Sequence, residues 1–249
     1  MATTVALYNI KGGVGKTSAA VNLAWTAAEE GARVLLWDLD PQGAASYLLR
    51  VRPKVRGGGA KLVRGKRDPA SLLKGSDHPR LDLLPADFSY RRMDLALDAT
   101  KRPTQALARV LAPLNGEYDY AFLDCAPAIS LASENVFAAA DVLLVPLIPT
   151  PLSLRTYDQL RAFVAKSVAK PRPRIVAFFS MVDGRKALHR SVVQELAGDG
   201  GVLRTTIPAA TDVERMGSQR RALAQFAARG RAAQAYGALW TELRGRLLA

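Results

Sequence analysis

The sequence predicts an α/β fold in which one doubly wound, mostly parallel sheet carries helices on both faces. Short apolar runs of strand length alternate with longer segments whose apolar residues recur at helical spacing. A glycine-rich turn joins the first apolar run to the first helical segment, and two later apolar runs end at aspartates, Asp38 and Asp124. Because a chain of 249 residues can enclose one large core, we expect a single domain over residues 1–249.

The first predicted strand, which ends at Leu7, leads into a loop with the composition of a phosphate cradle. Residues 11–17 read KGGVGKT, and a helical pattern follows. Glycines allow backbone N–H groups to approach phosphate oxygens closely, and a helix N-terminus adds partial positive charge. Lys16 is placed to reach the terminal phosphates of a nucleotide, and the Thr17 hydroxyl to bind Mg²⁺. The predicted nucleotide-binding residues of this loop are Lys11, Gly12, Gly13, Val14, Gly15, Lys16, Thr17 and Ser18.

Two further predicted strands end in carboxylates that the same site can use. The apolar run over 34–37 is followed by the sequence DLDPQ, and the run that precedes Asp124 is followed by DCAP. Open α/β sheets bind their ligands at the carboxyl ends of such strands. Asp124 has the position of a Walker B aspartate, which holds Mg²⁺ through its water shell, and Asp40 can hold a water near the γ-phosphate and bind the outer shell of the metal. Cys125 lacks a histidine partner or metal-ligand spacing, so we expect a small buried side chain.

These three motifs resemble the P-loop, switch I and switch II of the ParA/MinD family of deviant Walker A ATPases, and most closely its ParA-type (ParA/Soj-like) partition and cargo-positioning members. The deviant residue is Lys11, which stands early in the loop. The resemblance implies that Lys11 crosses a dimer interface to the nucleotide of the partner, so that dimerisation depends on ATP. It also implies catalytic roles for Lys11, Lys16 and Asp40, with Asp40 positioning the attacking water. Ala126 replaces the first proline that switch II usually carries, but that proline takes no part in the reaction.

The resemblance extends to the stretch that contacts the adenine base. A strand is predicted over 175–181, and Met181 and Asp183 at its tip match the base-recognition stretch of the family. A last strand is predicted over 203–207, and Pro208 after it would border the adenine pocket. The alternative for Asp183 is an ordinary Asp-Gly turn.

The chain carries a large excess of positive charge. Thirty-five Lys and Arg residues against 22 Asp and Glu give a formal net charge of +13, which indicates a polyanionic partner, either nucleic acid or an anionic membrane surface. Residues 50–67 hold eight basic residues, no acidic residue and three consecutive glycines, and they show no hydrophobic period. We therefore predict a mobile basic loop, which either contacts DNA phosphates or is a solvated insertion.

The resemblance also bears on which arginines contact DNA. Arg185 matches a position implicated in DNA binding among relatives. The arginines that relatives often carry after the Ile-Pro strand end are absent, because residues 209–212 read AATD. We therefore expect the DNA surface to include Arg215, Arg220 and Arg221 instead, together with the basic loop.

The helical segments support the same fold. Residues 88–114 are predicted to be mostly helical with a break at Pro103, after which Thr104 is the predicted N-cap. Neither His78 nor His189 has a partner in the sequence, so both are expected at the surface. The last helix carries an apolar stripe that is typical of a core-facing helix, although its arginines would also suit a membrane surface. The stripe consists of Tyr236, Leu239, Trp240, Leu243 and Leu247.

The function implied is that of a slow ATP hydrolase, with Mg²⁺ as the cofactor of its ATP substrate. Its ATP-bound homodimer would bind DNA nonspecifically and position a plasmid, chromosome region or large protein assembly over the nucleoid, with ATP hydrolysis to ADP stimulated by a partner protein. The single cysteine and the lack of a signal segment or ~20-residue apolar run suit a cytoplasmic, nucleoid-associated protein with no membrane partner.

Two alternatives come from different classes of protein. The first is a MinD-like membrane-surface ATPase that regulates the placement of a cellular structure. The second is an electron-transfer protein similar to the nitrogenase iron protein, which shares the deviant loop but needs two cluster cysteines in each subunit. The chain has only Cys125, which excludes the second alternative.

Overall fold

The computed structural model describes residues 2–168 and 171–248, and its centre is a seven-stranded sheet. The strands are β1 (Thr3–Leu7), β2 (Val34–Asp38), β3 (Lys74–Gly75), β4 (Leu81–Leu84), β5 (Tyr120–Asp124), β6 (Val142–Leu147) and β7 (Arg174–Phe179). The helices are α1 (Lys16–Glu29), α2 (Ala44–Leu48), α3 (Gly59–Val63), α4 (Met93–Asp98), α5 (Ala106–Leu111), α6 (Leu131–Ala139), α7 (Pro151–Ser167), α8 (Ala187–Glu195), α9 (Thr211–Gln219), α10 (Leu223–Phe226) and α11 (Arg231–Leu248).

The strand order, β3-β4-β2-β5-β1-β6-β7, confirms the doubly wound fold predicted from the sequence. Every pairing between these strands is parallel except that of β3 with β4 at the edge. In register, Asp124 stands beside Leu7 on one side and beside Asp38 on the other. The first loop and both aspartate motifs therefore meet at the carboxyl end of the sheet.

Side chains of every strand except the exposed edge strand β3 are divided between two apolar cores, one on each face of the sheet. In β2, for example, Leu35 and Trp37 lie in what we call the first core, and Val34 and Leu36 lie in the second core. This alternation buries both faces of the strands, which explains why the sequence shows continuous apolar runs there.

The last helix packs against the second core. Tyr236, Leu239, Trp240 and Leu243 are all buried, and the indole N–H of Trp240 donates to the Glu30 carboxylate at 3.0 Å. The prediction of a core-facing stripe is therefore correct. Across the two described ranges, no helix combines the length and hydrophobicity that crossing a bilayer requires.

The prediction that residues 50–67 lack regular structure is wrong for α3. Leu62 and Val63 are buried in the first core, and the backbone N–H of Gly59 donates to the Ser89 hydroxyl at 2.9 Å. A Cβ added to Gly59 would lie 2.3 Å from a ring carbon of Tyr90, so only glycine permits this packing. The helix is too short to show a hydrophobic period, and the residues that hold it lie about thirty positions along the chain.

The predicted strand over 203–207 is absent from the sheet, and isolated bridges flank it, one between Val202 and Ala177 of β7 and one between Pro208 and Val182. The N–H groups of Arg204 and Thr205 donate to the Glu242 carboxylate at 2.8 and 2.9 Å. The N–H groups of Leu203 and Ile207 still donate to the carbonyls of Ala177 and Phe179 in β7, at 2.7 and 2.8 Å, so Glu242 takes the two donors between them and no continuous ladder forms. The sequence could not show this because Glu242 belongs to α11.

Asn135, on α6, caps α5 in place of the predicted Thr104. Its side-chain oxygen accepts from the N–H groups of Ala106 and Leu107 at 2.8 and 3.3 Å. Its amide nitrogen donates to the carbonyls of Pro103 and Leu131 at 2.6 and 2.9 Å. Asn135 is fully buried, so it supplies four polar groups in the core with their partners.

We expect Asn135→Ala to lower the free energy of unfolding by about 2–4 kcal/mol, because buried N–H and C=O groups would lose their partners. Thr104 is exposed, and Thr104→Ala should change stability by less than about 0.5 kcal/mol. Urea denaturation of both variants measures the difference. If Thr104→Ala lowered the free energy of unfolding as much as Asn135→Ala, the assignment of the cap to Asn135 in place of Thr104 would be contradicted.

Candidate functional site

The glycine-rich loop connects β1 to α1 through two residues with positive φ. Gly13 has φ of 70° and Gly15 has φ of 91°, a region that favours glycine. A Cβ added to Gly15 would lie 3.8 Å from the Ser180 hydroxyl oxygen and 4.0 Å from the terminal carbon of Met181. Met181, a predicted base contact, therefore lies beside the loop.

Two polar side chains from outside the motif fix the loop. The side-chain oxygen of Asn9 accepts from the N–H of Lys11 at 2.9 Å, and its amide donates to the carbonyl of Pro146 at 2.8 Å. The Ser180 hydroxyl donates to the carbonyl of Val14 at 2.7 Å. Sequence reasoning missed both residues, although Ser180 directly follows β7 and Asn9 stands two residues after the end of β1.

Lys16 is buried against the loop, and its ammonium donates to the carbonyl of Lys11 at 3.0 Å. Burial lowers the pKa of Lys16, while the carboxylates of Asp124 and Asp40 act in the opposite direction. A bound phosphate would add negative charge at the same place. The structure therefore brings the predicted lysine and the two predicted carboxylates together.

Asp124 is fully buried at the end of β5, and neither of its carboxylate oxygens has a hydrogen-bond partner among the described residues. Burial raises the pKa of the Asp124 carboxyl well above its ordinary value, and the neighbouring charge of Asp38 raises it further. The Thr17 hydroxyl, which lies close to the carboxylate without reaching ordinary hydrogen-bond geometry, and the charge of Lys16 oppose this shift. A buried carboxylate without donors is a site for a cation.

Asp38 is the carboxylate whose role sequence reasoning missed. It accepts from the backbone N–H and the hydroxyl of Ser46, both at 2.7 Å, and from the N–H of Asp40 at 3.3 Å. Burial raises its pKa to about 6, against the effect of these hydrogen bonds. Its place as the first aspartate of Asp-x-Asp, in register with Asp124, could have identified it.

The donor set at this point fits Mg²⁺ in the way that nucleotide sites usually hold it. The described residues contain no group of three or more His, Cys, Asp or Glu arranged for a metal. Mg²⁺ commonly takes only one or two carboxylates, with waters and substrate phosphates completing an octahedron. Asp124 and the hydroxyl of Thr17 would hold it here. Asp40 is half-buried nearby, and its carboxylate also accepts from the N–H of Gln42 at 2.9 Å.

The predicted base contacts lie next to each other, but the Asp183 carboxylate is already engaged. Val182 pairs with Pro208, while the guanidinium of Arg185 makes two hydrogen bonds of 3.0 Å to Asp183. These hydrogen bonds lower the pKa of Asp183 to about 2. The N–H of Asp183 donates to His189, which is buried, so the prediction of a surface position for His189 is wrong.

A cavity of about 480 Å³ opens beside the loop at Thr17 and Ser18. One wall comes from α2 and the turn before it, and the facing wall comes from Val213, Met216 and Gly217 of α9. Met181, Asp183 and Pro208 do not line it. The space next to the loop is thus bounded by α2 with its preceding turn and by α9. The sequence suggests α9 only as the source of a DNA contact, Arg215.

Three of the four arginines predicted to contact DNA are engaged within the protein. Arg185 pairs with Asp183, Arg215 pairs with Asp212 at 2.9 Å, and Arg220 donates to the carbonyl of Tyr47 at 3.0 Å. For Arg221, which is half-buried, no side-chain hydrogen bond is found among the described residues.

Comparisons with known proteins agree with the geometry. A family model described as an AAA domain matches residues 2–176. The chain is 32% identical over 203 residues to the chromosome partitioning protein ParA of Caulobacter vibrioides, covering 79% of this chain and 76% of that protein. It is 28% identical over 242 residues to the sporulation initiation inhibitor protein Soj of Bacillus subtilis, covering 95% and 96%. A solved structure of cobyrinic acid a,c-diamide synthase from Mycobacterium smegmatis, with bound ATP analog and magnesium, matches with a TM-score of 0.83 and 27% identity, covering 100% and 97%.

We expect Asp124→Asn to remove most of the stabilisation that Mg²⁺ adds to ATP, because the cation would lose its buried carboxylate. For the unmodified protein, Mg·ATP at 100 times its Kd should raise the free energy of unfolding by ~2.7 kcal/mol. Thermal melts with ATP, with and without Mg²⁺, measure the effect, and Asp98→Asn, an exposed aspartate, is the control. The variant without ligand should melt no lower than the unmodified protein, since it no longer buries an unpaired charge. An unchanged response to Mg²⁺ would contradict the assignment.

Proposed function

The chain belongs to the ParA/MinD family of deviant Walker A ATPases, and on that premise we propose that it hydrolyses ATP slowly as an ATP-dependent homodimer that positions cargo on DNA. The observation that carries the ATPase proposal is the buried carboxylate of Asp124, for which the Thr17 hydroxyl is the neighbouring donor and Lys16 the neighbouring cation. A bound cation would compensate the negative charge of Asp124, and a polyphosphate would compensate the positive charge of Lys16. Mg·ATP provides both groups.

Each residue of the site has a distinct task in this proposal. The glycine-rich loop and Lys16 bind the phosphates, and Asp40 orients the attacking water. Thr17 and Asp124 hold Mg²⁺, which when bound neutralises charge on the β- and γ-phosphate oxygens. Phosphoryl transfer needs little more than positioning and charge neutralisation, so this small set of groups suffices.

Lys11 is proposed to reach the nucleotide of the partner subunit. Its backbone is held on both sides, by Asn9 through the N–H and by Lys16 through the carbonyl. Its ammonium forms no ion pair within the described ranges. A fixed backbone and an uncommitted ammonium suit a group that neutralises phosphate charge across an interface.

The names of the relatives support a role in partition. ParA of Caulobacter vibrioides is a chromosome partitioning protein, and we propose that this chain likewise moves or anchors a plasmid, chromosome region or large protein assembly. The ATP-bound dimer would bind the nucleoid through nonspecific phosphate contacts, and a cargo-associated protein would stimulate hydrolysis and release it. The net charge of +13 supports the DNA step.

A MinD-like membrane-surface role has less support. The apolar stripe of α11 that would face a bilayer is instead buried in the second core, where Trp240 and Leu243 are at most 1% exposed. Membrane binding through this helix would require its removal from the core.

We expect Lys11→Ala to bind ATP within a few-fold of the unmodified protein but to stay monomeric in Mg·ATP, because the proposed contact across the interface would be lost. Lys16→Ala should not bind ATP, because the phosphates would lose their lysine. Sedimentation velocity with a slowly hydrolysed ATP analogue, together with equilibrium binding of the same analogue, separates the two defects. An unchanged analogue-bound dimer for Lys11→Ala would refute the role of this lysine.

A further inference from the structure

We infer that duplex DNA binds along two cationic grooves near the β3 edge of the sheet, rather than on the arginines of the C-terminal helices. That the protein binds DNA rests on the proposed function, and the inference made here is where on the protein the DNA binds. The edge groove, of about 870 Å³, is lined by the cationic residues Arg50, Arg52, Lys54, Arg56 and Lys74. The lateral groove, of about 880 Å³, is lined by Arg64, Lys66, Arg67, Lys101 and Arg109, with Asp68 as its acidic residue.

The two grooves adjoin at Gly57 and Arg67. Gly57 lines the edge groove, and a Cβ added to it would lie 3.4 Å from the guanidinium nitrogen Nε of Arg67, which lines the lateral groove. β3, which contributes Lys74, is the edge strand of the sheet. The cations therefore form one continuous basic surface, to which residues 50–67 contribute most of the members.

These side chains are available for a ligand. All ten are exposed, and among the described residues eight of them form neither an ion pair nor a side-chain hydrogen bond. The exceptions are Arg50, which pairs with Asp77 at 3.4 Å and donates to the carbonyls of Arg220 and Gln219, and Arg109, which donates to the carbonyl of Arg102 at 3.5 Å. Cations that lack protein partners gain most by binding phosphates and releasing counterions. By contrast, Arg185, Arg215 and Arg220 would each have to give up a contact within the protein before contacting DNA.

The composition of the grooves favours a nucleic acid over an anionic membrane. None of the large exposed apolar side chains of the described chain lines either groove. Surface binding to a bilayer usually combines basic residues with apolar anchors. A DNA duplex instead presents one negative charge per ~1.7 Å along its helix axis, which suits a basic surface that has no large exposed apolar anchor.

The test uses the full chain in the presence of an ATP analogue and a random-sequence DNA duplex. Replacing Arg52, Lys54 and Arg56 together by alanine should weaken binding at least tenfold and reduce the slope of log K against log salt by about 2.7 if all three contact phosphates. The control removes the same charge from the C-terminal part of the chain, in Arg204→Ala, Arg229→Ala and Arg231→Ala, all exposed positions. This control should keep nearly the full affinity apart from a small long-range charge effect.

The outcomes separate the surface from the function. Absence of DNA binding by the unmodified protein would refute the proposed DNA step. Binding that the groove variant retains, or that the C-terminal control loses to a greater extent, would refute the grooves alone. If the protein bound duplex RNA or anionic vesicles more tightly than duplex DNA, and the groove variant lost that binding, the partner would not be DNA.

A second inference concerns Arg220, which is engaged in an arginine clasp with Arg50. The Arg220 guanidinium lies 4.4 Å from the centre of the Tyr47 ring, and its Nε donates to the Tyr47 carbonyl. Arg50 donates to the carbonyls of Arg220 and Gln219 at 3.2 and 3.4 Å. Both arginines have positive φ, 61° for Arg50, which stands two residues after α2, and 49° for Arg220, which directly follows α9.

The clasp joins the ends of the two helices that face each other across the cavity beside Thr17 and Ser18. Tyr47 of α2 lines one wall, and Met216 of α9, whose carbonyl accepts from the Arg220 N–H at 2.7 Å, lines the other. On the proposed function, a nucleotide held by the loop would adjoin Thr17 and Ser18, which line the cavity, so walls held at a fixed separation would also restrain this end of the loop. We propose that Arg50 and Arg220 are positioning residues that slow the release of nucleotide.

Glycine replaces each arginine best, because it keeps the positive φ while it removes the side chain. Arg220→Gly should speed the release of a fluorescent ADP, measured by stopped flow, by about tenfold, and Arg50→Gly combined with it should add little. Arg221→Ala, at the neighbouring arginine, is the control and should release ADP at the unmodified rate. Thermal melts check that the variants are folded.

A release rate unchanged in both folded glycine variants would refute the clasp. So would loss of DNA affinity by Arg220→Gly without faster release, because that result would return Arg220 to DNA binding. Failure of the unmodified protein to bind ADP would instead refute the nucleotide site itself.

Discussion

The arrangement of the site depends on two carboxylates that are buried side by side at the ends of β2 and β5. Asp38 and Asp124 are register partners, and the charge of Asp38 adds to the cost that burial sets on ionising Asp124. Their hydrogen bonding differs completely. Asp38 receives three donors from the protein, and Asp124 receives none from the described residues. One carboxylate therefore positions protein backbone, and the other remains for a cation.

This division explains how the elements around the loop are held. Asp38 fixes α2 through Ser46, whose hydroxyl also accepts from the N–H of Ala86 at 3.0 Å. Asn9 and Ser180 fix the loop from two other strand ends. The supporting contacts thus come from residues outside the recognised motifs. The glycines, Lys16 and Thr17 keep their polar groups largely for a ligand, because other residues hold the backbone in place.

The sequence could predict what depends on local pattern. Parallel strands buried on both faces read as apolar runs, and the polar residues at their ends identified Lys16, Asp40 and Asp124 as neighbours. It could not predict contacts between distant residues. Glu242 interrupts the last strand from 37 and 38 positions away, and Asn135 caps α5 from 28 and 29. His189 is expected at the surface because the sequence does not show that its ring accepts a hydrogen bond from the backbone N–H of Asp183.

The basic residues show why composition alone does not locate a binding surface. A net charge of +13 indicates a polyanionic partner, but it does not say which cations are available. Arginines 185, 215 and 220 stand where resemblance and helical position favour DNA contacts, yet each already binds a carboxylate or a carbonyl. Breaking such a contact offsets part of what a phosphate would contribute, so an engaged arginine adds less affinity than a free one. The exposed cations Arg52, Lys54 and Arg56, which precede α3, have no such contact to break among the described residues. The physical distinction between a structural and a ligand-binding arginine therefore lies in its existing partner, which only the folded chain reveals.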